Sequence, residues 1–305
     1  MKKRAFSLLL TLLLLLSCCA PVFAASGRGT GAVTALTMVG HRGFSAVAPE
    51  NTLASFRLAG EAGFWGAECD VSRTVDGRWV VIHDDTVDRT TNGTGRVRDF
   101  TFDELRALKI DGGNGLDRYP DEQVPTLEEF LAVCRRYGMR PFVEVKDANP
   151  VAEMDDLARA LRENGGDDCV LISFGREQIA ALHALLPENE TYLLTRFPSV
   201  DDVRFCKETG LTGVDLRYPA PFADGVLRLA QAAGLRVAAW TVDEPLYAKE
   251  LQKKGVGLIT TNALAPADVK DLSGVSATPI DRLVIRVRTL LSSLLSALQE
   301  AGILK

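Results

Sequence analysis

The first third of the chain contains carboxylates and imidazoles at spacings that could support metal-assisted acid–base chemistry. Glu68 and Asp70 occupy alternate positions of an apolar run, so both side chains point to one face of a predicted strand. Asp76-Gly77 is a two-residue hairpin signal between strand-like runs, and a turn with these residues at its tip pairs Asp70 with His83. Opposed residues on paired strands have Cβ atoms about 5 Å apart. We therefore expect an imidazole beside two carboxylates.

The pattern of the chain supplies a scaffold of alternating strands and helices for these residues. Amphipathic, helix-like segments separate eight apolar, strand-like runs, which is typical of parallel α/β proteins. The runs are 37–41, 66–71, 141–146, 170–174, 192–196, 213–217, 237–242 and 258–261. We predict an α/β fold, a (β/α)8 TIM barrel. A doubly wound open sheet is the alternative, and it would lack the pair between the first and last strands.

One region departs from the alternation after the second strand. Residues 80–83 are predicted to be the return arm of the hairpin, outside the closed barrel. Residues 85–124 then form a loop excursion rich in Asn-Gly and Gly-Gly pairs. Such a segment is long enough to be a lid or one wall of a substrate site.

In a TIM barrel, side chains at the carboxyl ends of the strands line the active face. The charged, imidazole and aromatic residues at these ends are His41, Arg42, Glu68, Asp70, Glu144, Lys146, Asp215, Arg217 and Trp240. Glu68, Asp70 and Glu144 form a set of hard oxygen ligands suited to Ca²⁺ or Mg²⁺. Asp215 and Arg217 could equally be a structural ion pair.

The same ends carry positive charge and imidazoles. Arg42 and Lys146 could clamp a phosphate beside a divalent ion. His41 and His83 are of the residue type whose unperturbed pKa lies close to neutrality. Two imidazoles with a metal suggest acid–base cleavage of a phosphate ester. A structural alternative for His41 is a buried ion pair with Glu50.

Six short motifs follow one another along the predicted barrel. They are His41-Arg42-Gly43, Pro49-Glu50-Asn51-Thr52, Glu68-x-Asp70, Asp76-Gly77 followed by His83-Asp84, Pro125-Thr126-Leu127 and Glu144-x-Lys146. Together they resemble the glycerophosphodiester phosphodiesterases, from about residue 40 to about residue 262. The resemblance implies a metal-dependent hydrolase that cuts small-molecule glycerophosphodiesters to an alcohol and sn-glycerol 3-phosphate.

The resemblance also implies a role for each matching position. By position, the ligands of one divalent cation, Ca²⁺ or Mg²⁺, are Glu68, Asp70 and Glu144, the acid–base pair is His41 and His83, and the substrate or phosphate contacts are Arg42, Lys146, Glu50 and Trp240. Trp240 could equally belong to the packed core. The resemblance leaves open which histidine is the acid and whether water or a substrate hydroxyl attacks.

The two ends of the chain differ from the barrel, for which we expect residues 37–273. Residues 1–24 have the basic, apolar and small-residue order of an export signal, and residues 25–36 read as a flexible lead. A lipoprotein site at Cys18 is the alternative to cleavage after Ala24. Residues 274–305 are predicted to form an amphipathic helix that packs on a protein surface or contacts a membrane peripherally. We expect an exported protein, secreted or at the cell surface.

Composition narrows the classes of function. The chain is 47% hydrophobic and 25% charged, with a net charge of −5, and no basic stripe suggests nucleic-acid binding. Four cysteines beyond the signal are far apart in predicted strands and helices: Cys69, Cys134, Cys169 and Cys206. Their spacing favours buried free thiols over disulfides or a metal site.

Other functions remain compatible with the residues. The same chemistry could act on a lysophospholipid or on a glycerophosphate cell-wall polymer. Two carboxylates on barrel strands are also the apparatus of a glycosidase, although a glycosidase would not need both histidines. A surface binding protein could retain the barrel without turnover.

Overall fold

Eight parallel strands close into a barrel. The computed structural model describes residues 35–220, 222–275, 278 and 287. The barrel strands are β1 (Thr37–Gly40), β2 (Gly66–Arg73), β4 (Arg140–Val145), β5 (Val170–Ser173), β6 (Glu190–Thr195), β7 (Gly213–Arg217), β8 (Arg236–Trp240) and β9 (Leu258–Thr261), and the short strand β3 (Trp79–Val81) pairs antiparallel with β2. Strand β1 pairs in parallel with both β2 and β9. This pair between the first and last strands confirms the TIM barrel and excludes the doubly wound sheet.

Helices connect the barrel strands as predicted. The connecting helices are α1 (Leu53–Glu61), α3 (Leu127–Tyr137), α4 (Met154–Glu163), α5 (Arg176–Leu185), α6 (Val200–Thr209), α7 (Ala223–Ala232) and α8 (Pro245–Lys253). A short helix, α2 (Phe102–Ala107), lies in the excursion, and 3₁₀ turns occur at Val97–Asp99, Val151–Glu153 and Pro266–Val269. Helix α3 illustrates why a helix begins at a particular residue. Thr126 Oγ1 accepts from the Glu129 backbone N–H, and the Glu129 carboxylate accepts from the Thr126 N–H, which is a capping box.

The inside of the barrel is apolar at its base and polar at its mouth. Alternate side chains of each strand point inward, and the inward apolar cluster consists of Val39, Phe142, Val170, Ile172, Tyr192, Leu194, Ala238 and Leu258. The outer faces of the strands pack against the helices in a larger cluster. Apolar side chains fill the base of the barrel, so the inward-pointing charged groups lie toward the carboxyl ends of the strands, where the barrel opens.

The prediction of buried free thiols is confirmed. Cys69, Cys134, Cys169 and Cys206 are buried and unbridged. Burial raises the pKa of Cys169 and of Cys206 to about 12. These thiols are therefore protonated and unreactive at neutral pH.

The hairpin of β2 and β3 forms, but its register differs from the prediction. Val71 pairs with Val81, and the Thr74 N–H donates to the Arg78 carbonyl at 2.9 Å, which leaves a three-residue loop. Gly77 ends this loop with φ 86°, the left-handed position of a three-residue hairpin. The pairing of Asp70 with His83 was therefore wrong, because the extra loop residue shifts the register by one.

The excursion after β3 forms a small packed layer of its own. Its buried apolar residues, with those of β3 and the segment before α3, are Val80, Ile82, Val87, Val97, Leu105, Ile110 and Val124. Strand β3 pairs with β2 alone among the described strands, so it remains outside the closed barrel as predicted. The layer places the segment 83–89 beside the mouth of the barrel.

The predictions for the chain ends fall almost wholly outside the described residues. These predictions are the signal at 1–24, most of the lead at 25–36 and most of the helix at 274–305, and they stay predictions. Among the residues that the structure does describe, none of the helices has the length and hydropathy of a membrane span.

Candidate active site

Three buried carboxylates meet at the mouth of the barrel. Glu68 and Asp70 lie on the inner face of β2, and Glu144 on β4 is the register partner of Asp70. One oxygen of each carboxylate lies within 4.8 Å of one oxygen of the other two. The structure thus brings together the three residues that the sequence proposed as metal ligands.

Their protonation reflects burial and mutual repulsion. Burial, followed by the charges of Asp70 and Glu144, raises the pKa of Glu68 well above its usual value, and burial also raises the pKa of Glu144. Burial opposes ionisation of Asp70 as well, but Lys146 and Arg42 outweigh it and hold its pKa well below the usual range. Glu68 Oε1 is buried without a hydrogen-bond partner. Three close carboxylates, one of which has an oxygen without a hydrogen bond, fit a divalent cation.

Two cations touch this trio directly. Lys146 Nζ lies 2.5 Å from Asp70 Oδ1 and 2.6 Å from Glu144 Oε1. Arg42 Nε lies 3.4 Å from Asp70 Oδ2, and Arg42 Nη1 lies 2.8 Å from Glu50 Oε1. Both cations therefore lie where a phosphate at the carboxylate trio would meet them.

The loop between β1 and α1 holds Arg42 in a strained backbone conformation. Arg42 has φ 55°, which costs a residue with a Cβ roughly 1–2 kcal/mol. In this conformation its N–H donates to Glu68 Oε2 at 2.8 Å, and its carbonyl accepts from the Asn51 N–H at 3.0 Å. Asn51, with φ 56°, in turn donates from Nδ2 to Asp70 Oδ2 at 2.7 Å. The loop thus orients two of the three carboxylates.

His41 follows β1 and is held by the loop after β9. Its Nδ1 lies 2.7 Å from Asn262 Oδ1. Burial, followed by the charge of Arg42, lowers the pKa of His41 to about 4, so the ring is neutral at pH 7. The alternative of a His41–Glu50 pair is wrong, since Glu50 pairs with Arg42 and Arg89.

His83 has a different kind of partner. Its Nδ1 lies 2.5 Å from Asp84 Oδ1. Arg89 donates from Nε to Asp84 Oδ2 at 2.7 Å. It also donates from Nη1 and Nη2 to the two carboxylate oxygens of Glu50, at 2.9 and 2.7 Å. Arg89 therefore connects the His83 side of the mouth to the Arg42 side.

The imidazole of His83 and the carboxylate of Glu144 line one open cavity of about 490 Å³. Its lining residues are His83, Asp84, Asp85, Glu144, Lys146, Asp147, Phe174, Arg196 and Phe197. The guanidinium of Arg196 lies 5.2 Å from the centre of the Phe174 ring. Trp240 packs edge-on against Phe174 at 5.4 Å and donates from Nε1 to the Asp215 carbonyl. Trp240 thus supports the aromatic side of the mouth from within the barrel.

Comparison with known sequences decides the family. The model of the glycerophosphoryl diester phosphodiesterase family matches residues 41–265, a range that contains every site residue named above. The chain belongs to this family. The resemblance inferred from the six motifs is confirmed.

Two relatives in the glycerophosphoryl diester phosphodiesterase family match this chain over different lengths. A glycerophosphodiester phosphodiesterase of Caldanaerobacter subterraneus subsp. tengcongensis is 33% identical over 237 residues, covering 73% of this chain and 93% of that protein. Glycerophosphodiester phosphodiesterase 1 of Homo sapiens is 46% identical over 112 residues, covering 36% of this chain and 34% of its own length. The match thus spans about a third of the human relative.

A solved structure of similar fold is a phosphodiesterase of Oleispira antarctica in complex with the product sn-glycerol-3-phosphate. It is 28% identical, with a TM-score of 0.69, and the match covers 77% of this chain and 96% of that one.

The motifs of the glycerophosphoryl diester phosphodiesterase family did not point to all residues of the site. Asn51 and Asp84 belong to two of the six motifs, but the resemblance implies no role for them. Asn262 directly follows β9, so its position at the carboxyl end of a barrel strand could have identified it as a candidate site residue. Arg89 lies in the irregular excursion, where neither periodicity nor strand position carries a signal.

Proposed function

We propose that this chain is a metal-dependent phosphodiesterase that hydrolyses glycerophosphodiesters to an alcohol and sn-glycerol 3-phosphate. The observation that carries the proposal is the meeting of three buried carboxylates, two cations and two imidazoles at one mouth of a barrel of this family. A carboxylate-pair glycosidase gives no reason for Lys146 and Arg42 to contact the acidic trio.

The acidic trio would hold one divalent cation. Glu68, Asp70 and Glu144 supply only oxygen, which suits Ca²⁺ or Mg²⁺, and the bound ion would supply positive charge against the phosphate oxygens. Arg42 and Lys146 would contact the same phosphate. Glu50 holds the Arg42 guanidinium, so its role is to orient this contact.

The two histidines would divide the proton transfers. His41 is neutral at pH 7 and bonded through Nδ1 to an amide oxygen, so its Nε2 is free to accept a proton from the attacking hydroxyl group. His83 is bonded through Nδ1 to the carboxylate of Asp84, which can balance the charge of an imidazolium. We therefore assign His41 as the base and His83 as the acid that protonates the departing alcohol.

Metal removal and restoration test the proposal. The protein is treated with a chelator, and release of sn-glycerol 3-phosphate from glycerophosphocholine is followed before and after Ca²⁺ or Mg²⁺ is returned. We expect activity to be lost in chelator and recovered with one of the ions. Full activity in chelator would contradict the metal-dependent mechanism and favour a metal-independent hydrolase.

A matched pair of carboxylate variants tests whether the metal-dependent activity depends on the acidic trio. Glu68→Gln removes one ligand charge from the trio, whereas Glu61→Gln changes an exposed carboxylate on α1 whose bond is to Tyr137. We expect activity to fall by at least about a hundredfold in the first variant, as for loss of an electrostatic contact at a reacting group, and to stay unchanged in the second. Equal activities in the two variants would show that Glu68 has no role in the reaction.

The cellular location of the protein and the head group of its substrate are further parts of the proposal. The order of residues 1–24 supports export, with lipidation at Cys18 as the alternative, and the apolar stripe of 274–305 supports peripheral membrane contact. Deleting residues 276–305 should then reduce activity on lysophospholipid vesicles but not on glycerophosphocholine. Equal loss on both substrates would instead indicate a role in the fold.

A further inference from the structure

A chain of hydrogen bonds runs from His41 through Asn262 and ends at the carboxylate of Asp243. Asn262 Oδ1 lies 2.7 Å from His41 Nδ1. On its other side, Asn262 Nδ2 donates to Asp243 Oδ2 at 2.7 Å. Asp243 Oδ1 accepts from the Asn262 backbone N–H at 2.7 Å and from Thr261 Oγ1 at 3.0 Å. Asp243 therefore contacts Asn262 through both of its oxygens.

The orientation of the Asn262 amide decides which ring nitrogen of His41 carries the proton. An amide oxygen accepts hydrogen bonds and an amide nitrogen donates them. With the oxygen toward His41, as here, Nδ1 must carry the proton and Nε2 has a free lone pair. If the amide turned over, its nitrogen would donate to Nδ1, and the proton would move to Nε2.

Neighbours of Asn262 differ in their power to set this orientation. Ser45 Oγ also lies 3.0 Å from Asn262 Oδ1, but a hydroxyl donates or accepts equally well after rotation. The ionised carboxylate of Asp243 can only accept. An inverted amide would place its oxygen against Asp243 Oδ2 with no proton between them.

We propose that Asp243 is a positioning residue that selects the Nδ1-protonated tautomer of His41 by holding the Asn262 amide in one orientation. The inference rests on the proposed function, since it explains how His41 comes to present a basic Nε2. Asp243 itself follows β8 and lies behind Asn262, and its side chain accepts hydrogen bonds from Asn262 and Thr261.

The first test is Asp243→Asn. The amide oxygen introduced at position 243 can still accept from the backbone of Asn262 and from Thr261, but its nitrogen must then face the Asn262 side chain as a donor. Asn262 is expected to turn over and move the His41 proton to Nε2. We expect kcat to fall by at least about tenfold with KM within about twofold, because the wrong tautomer impairs proton transfer more than binding.

Asp268→Asn is the matched control. Asp268 follows the same strand as Asn262, is exposed, and accepts from one backbone N–H, that of Ala265. Its change should leave kcat, KM and the His41 tautomer as in the wild type.

A double exchange supplies a rescue. In Asp243→Asn with Asn262→Asp, the amide nitrogen at position 243 donates to the carboxylate at position 262, which accepts from His41 Nδ1–H. The Nδ1 tautomer is restored although both residues have changed. We expect kcat to return to within about fivefold of the wild type, a recovery typical of coupled neighbours. If the single variant does not fold, the activity of the double variant tests the proposal alone.

The tautomer can be observed without turnover. The chain has three histidines, so the ring nitrogens can be labelled with ¹⁵N and assigned with His83→Gln and His183→Gln. At pH 7 the protonated and bare nitrogens of a neutral ring have separate chemical shifts. We expect a bare Nε2 in the wild type, a bare Nδ1 in Asp243→Asn and a bare Nε2 again in the double exchange.

Two results would overturn the inference: a His41 proton that stays on Nδ1 in Asp243→Asn, or a folded double variant whose kcat remains as low as that of the single variant. A wild-type protein that releases no sn-glycerol 3-phosphate but shows the expected nitrogen shifts would defeat the proposed function alone.

Discussion

Each charged side chain at the barrel mouth depends on its neighbours for its ionisation state. Lys146 and Arg42 keep Asp70 ionised, and Glu68 is left with a raised pKa and an oxygen that lacks a hydrogen bond. Such a group destabilises the metal-free fold, because a buried unsatisfied carboxyl keeps its desolvation cost. The residues that would hold a cation are therefore poorly compensated without one.

Glu68→Gln should separate metal binding from stability. In chelator at pH 7 we expect the variant to resist urea more than the wild type, by about 1–3 kcal/mol, since a neutral amide replaces a repelled carboxyl. With Ca²⁺ or Mg²⁺ at a hundred times its dissociation constant, the wild type should gain about 2.7 kcal/mol and the variant much less. Equal stabilisation of both proteins by the ion would place the metal elsewhere.

Arg89→Lys should reduce activity with little effect on stability. The Arg89 side chain is 47% exposed, and exposed ion pairs contribute about 0–1 kcal/mol. A lysine cannot keep the paired contacts to Glu50 and Asp84, so we expect kcat/KM to fall about tenfold. Arg57→Lys, which changes the pair with Glu122, is the control. Unchanged kcat/KM in Arg89→Lys would show that the two sides of the mouth are positioned independently.

The loop from β1 to α1 is the element on which the site depends most for its geometry. It carries His41 and Arg42, and it turns back on α1 at Gly43, where φ is 79°. A Cβ at Gly43 would lie 2.4 Å from Ser55 Oγ and 2.6 Å from the Ser55 carbonyl carbon. The close approach of loop and helix requires a residue without a side chain.

Gly43→Ala should therefore cost far more than Gly77→Ala. Both glycines have positive φ, and alanine there costs about 1 kcal/mol. At Gly77 the nearest atom to a new Cβ is the end of the flexible Arg73 side chain, at 2.9 Å. We expect urea unfolding to show a loss of about 1 kcal/mol for Gly77→Ala and roughly 3 kcal/mol or more for Gly43→Ala. Equal losses would mean that the α1 backbone yields to the added methyl group.

For the molecule as a whole, closure of the barrel buries a carboxyl that the proposed chemistry does not use. Asp215 on β7 points inward and is buried, and its Oδ1 has no hydrogen-bond partner. Burial, followed by the charge of Glu144, raises the pKa of Asp215 to about 8. The folded protein thus retains a proton that the unfolded chain loses near pH 4.

Asp215→Asn should flatten the pH dependence of stability. Since the folded pKa is above the unfolded one, the wild-type free energy of unfolding should fall as pH rises from about 4 to about 8, by up to roughly 1.4 kcal/mol per pH unit from this group. The variant lacks this contribution and should be the more stable protein at pH 8. Urea titrations of metal-free protein at pH 5 and pH 8 measure the difference. Parallel pH profiles would show that Asp215 ionises in the fold.

Local pattern was sufficient for the strands, the helices and most of the site. Inward alternation placed Glu68, Asp70 and Glu144 on one face of neighbouring strands, and the alternation of apolar runs with amphipathic segments indicated the strands and helices. These features depend on residues a few positions apart, so the order of the chain encodes them directly.

Partners that are distant in the chain depended on the tertiary structure. The contact of His41 with Asn262 spans 221 positions and exists because the last strand closes on the first. Likewise, the three-residue turn at Gly77 shifted His83 from the partner expected for it, and Arg89 became a bridge only through the packing of an irregular segment. The sequence by itself determined which side chains face the mouth, whereas barrel closure and loop geometry decided which atoms meet, because periodicity specifies a face and not a neighbour.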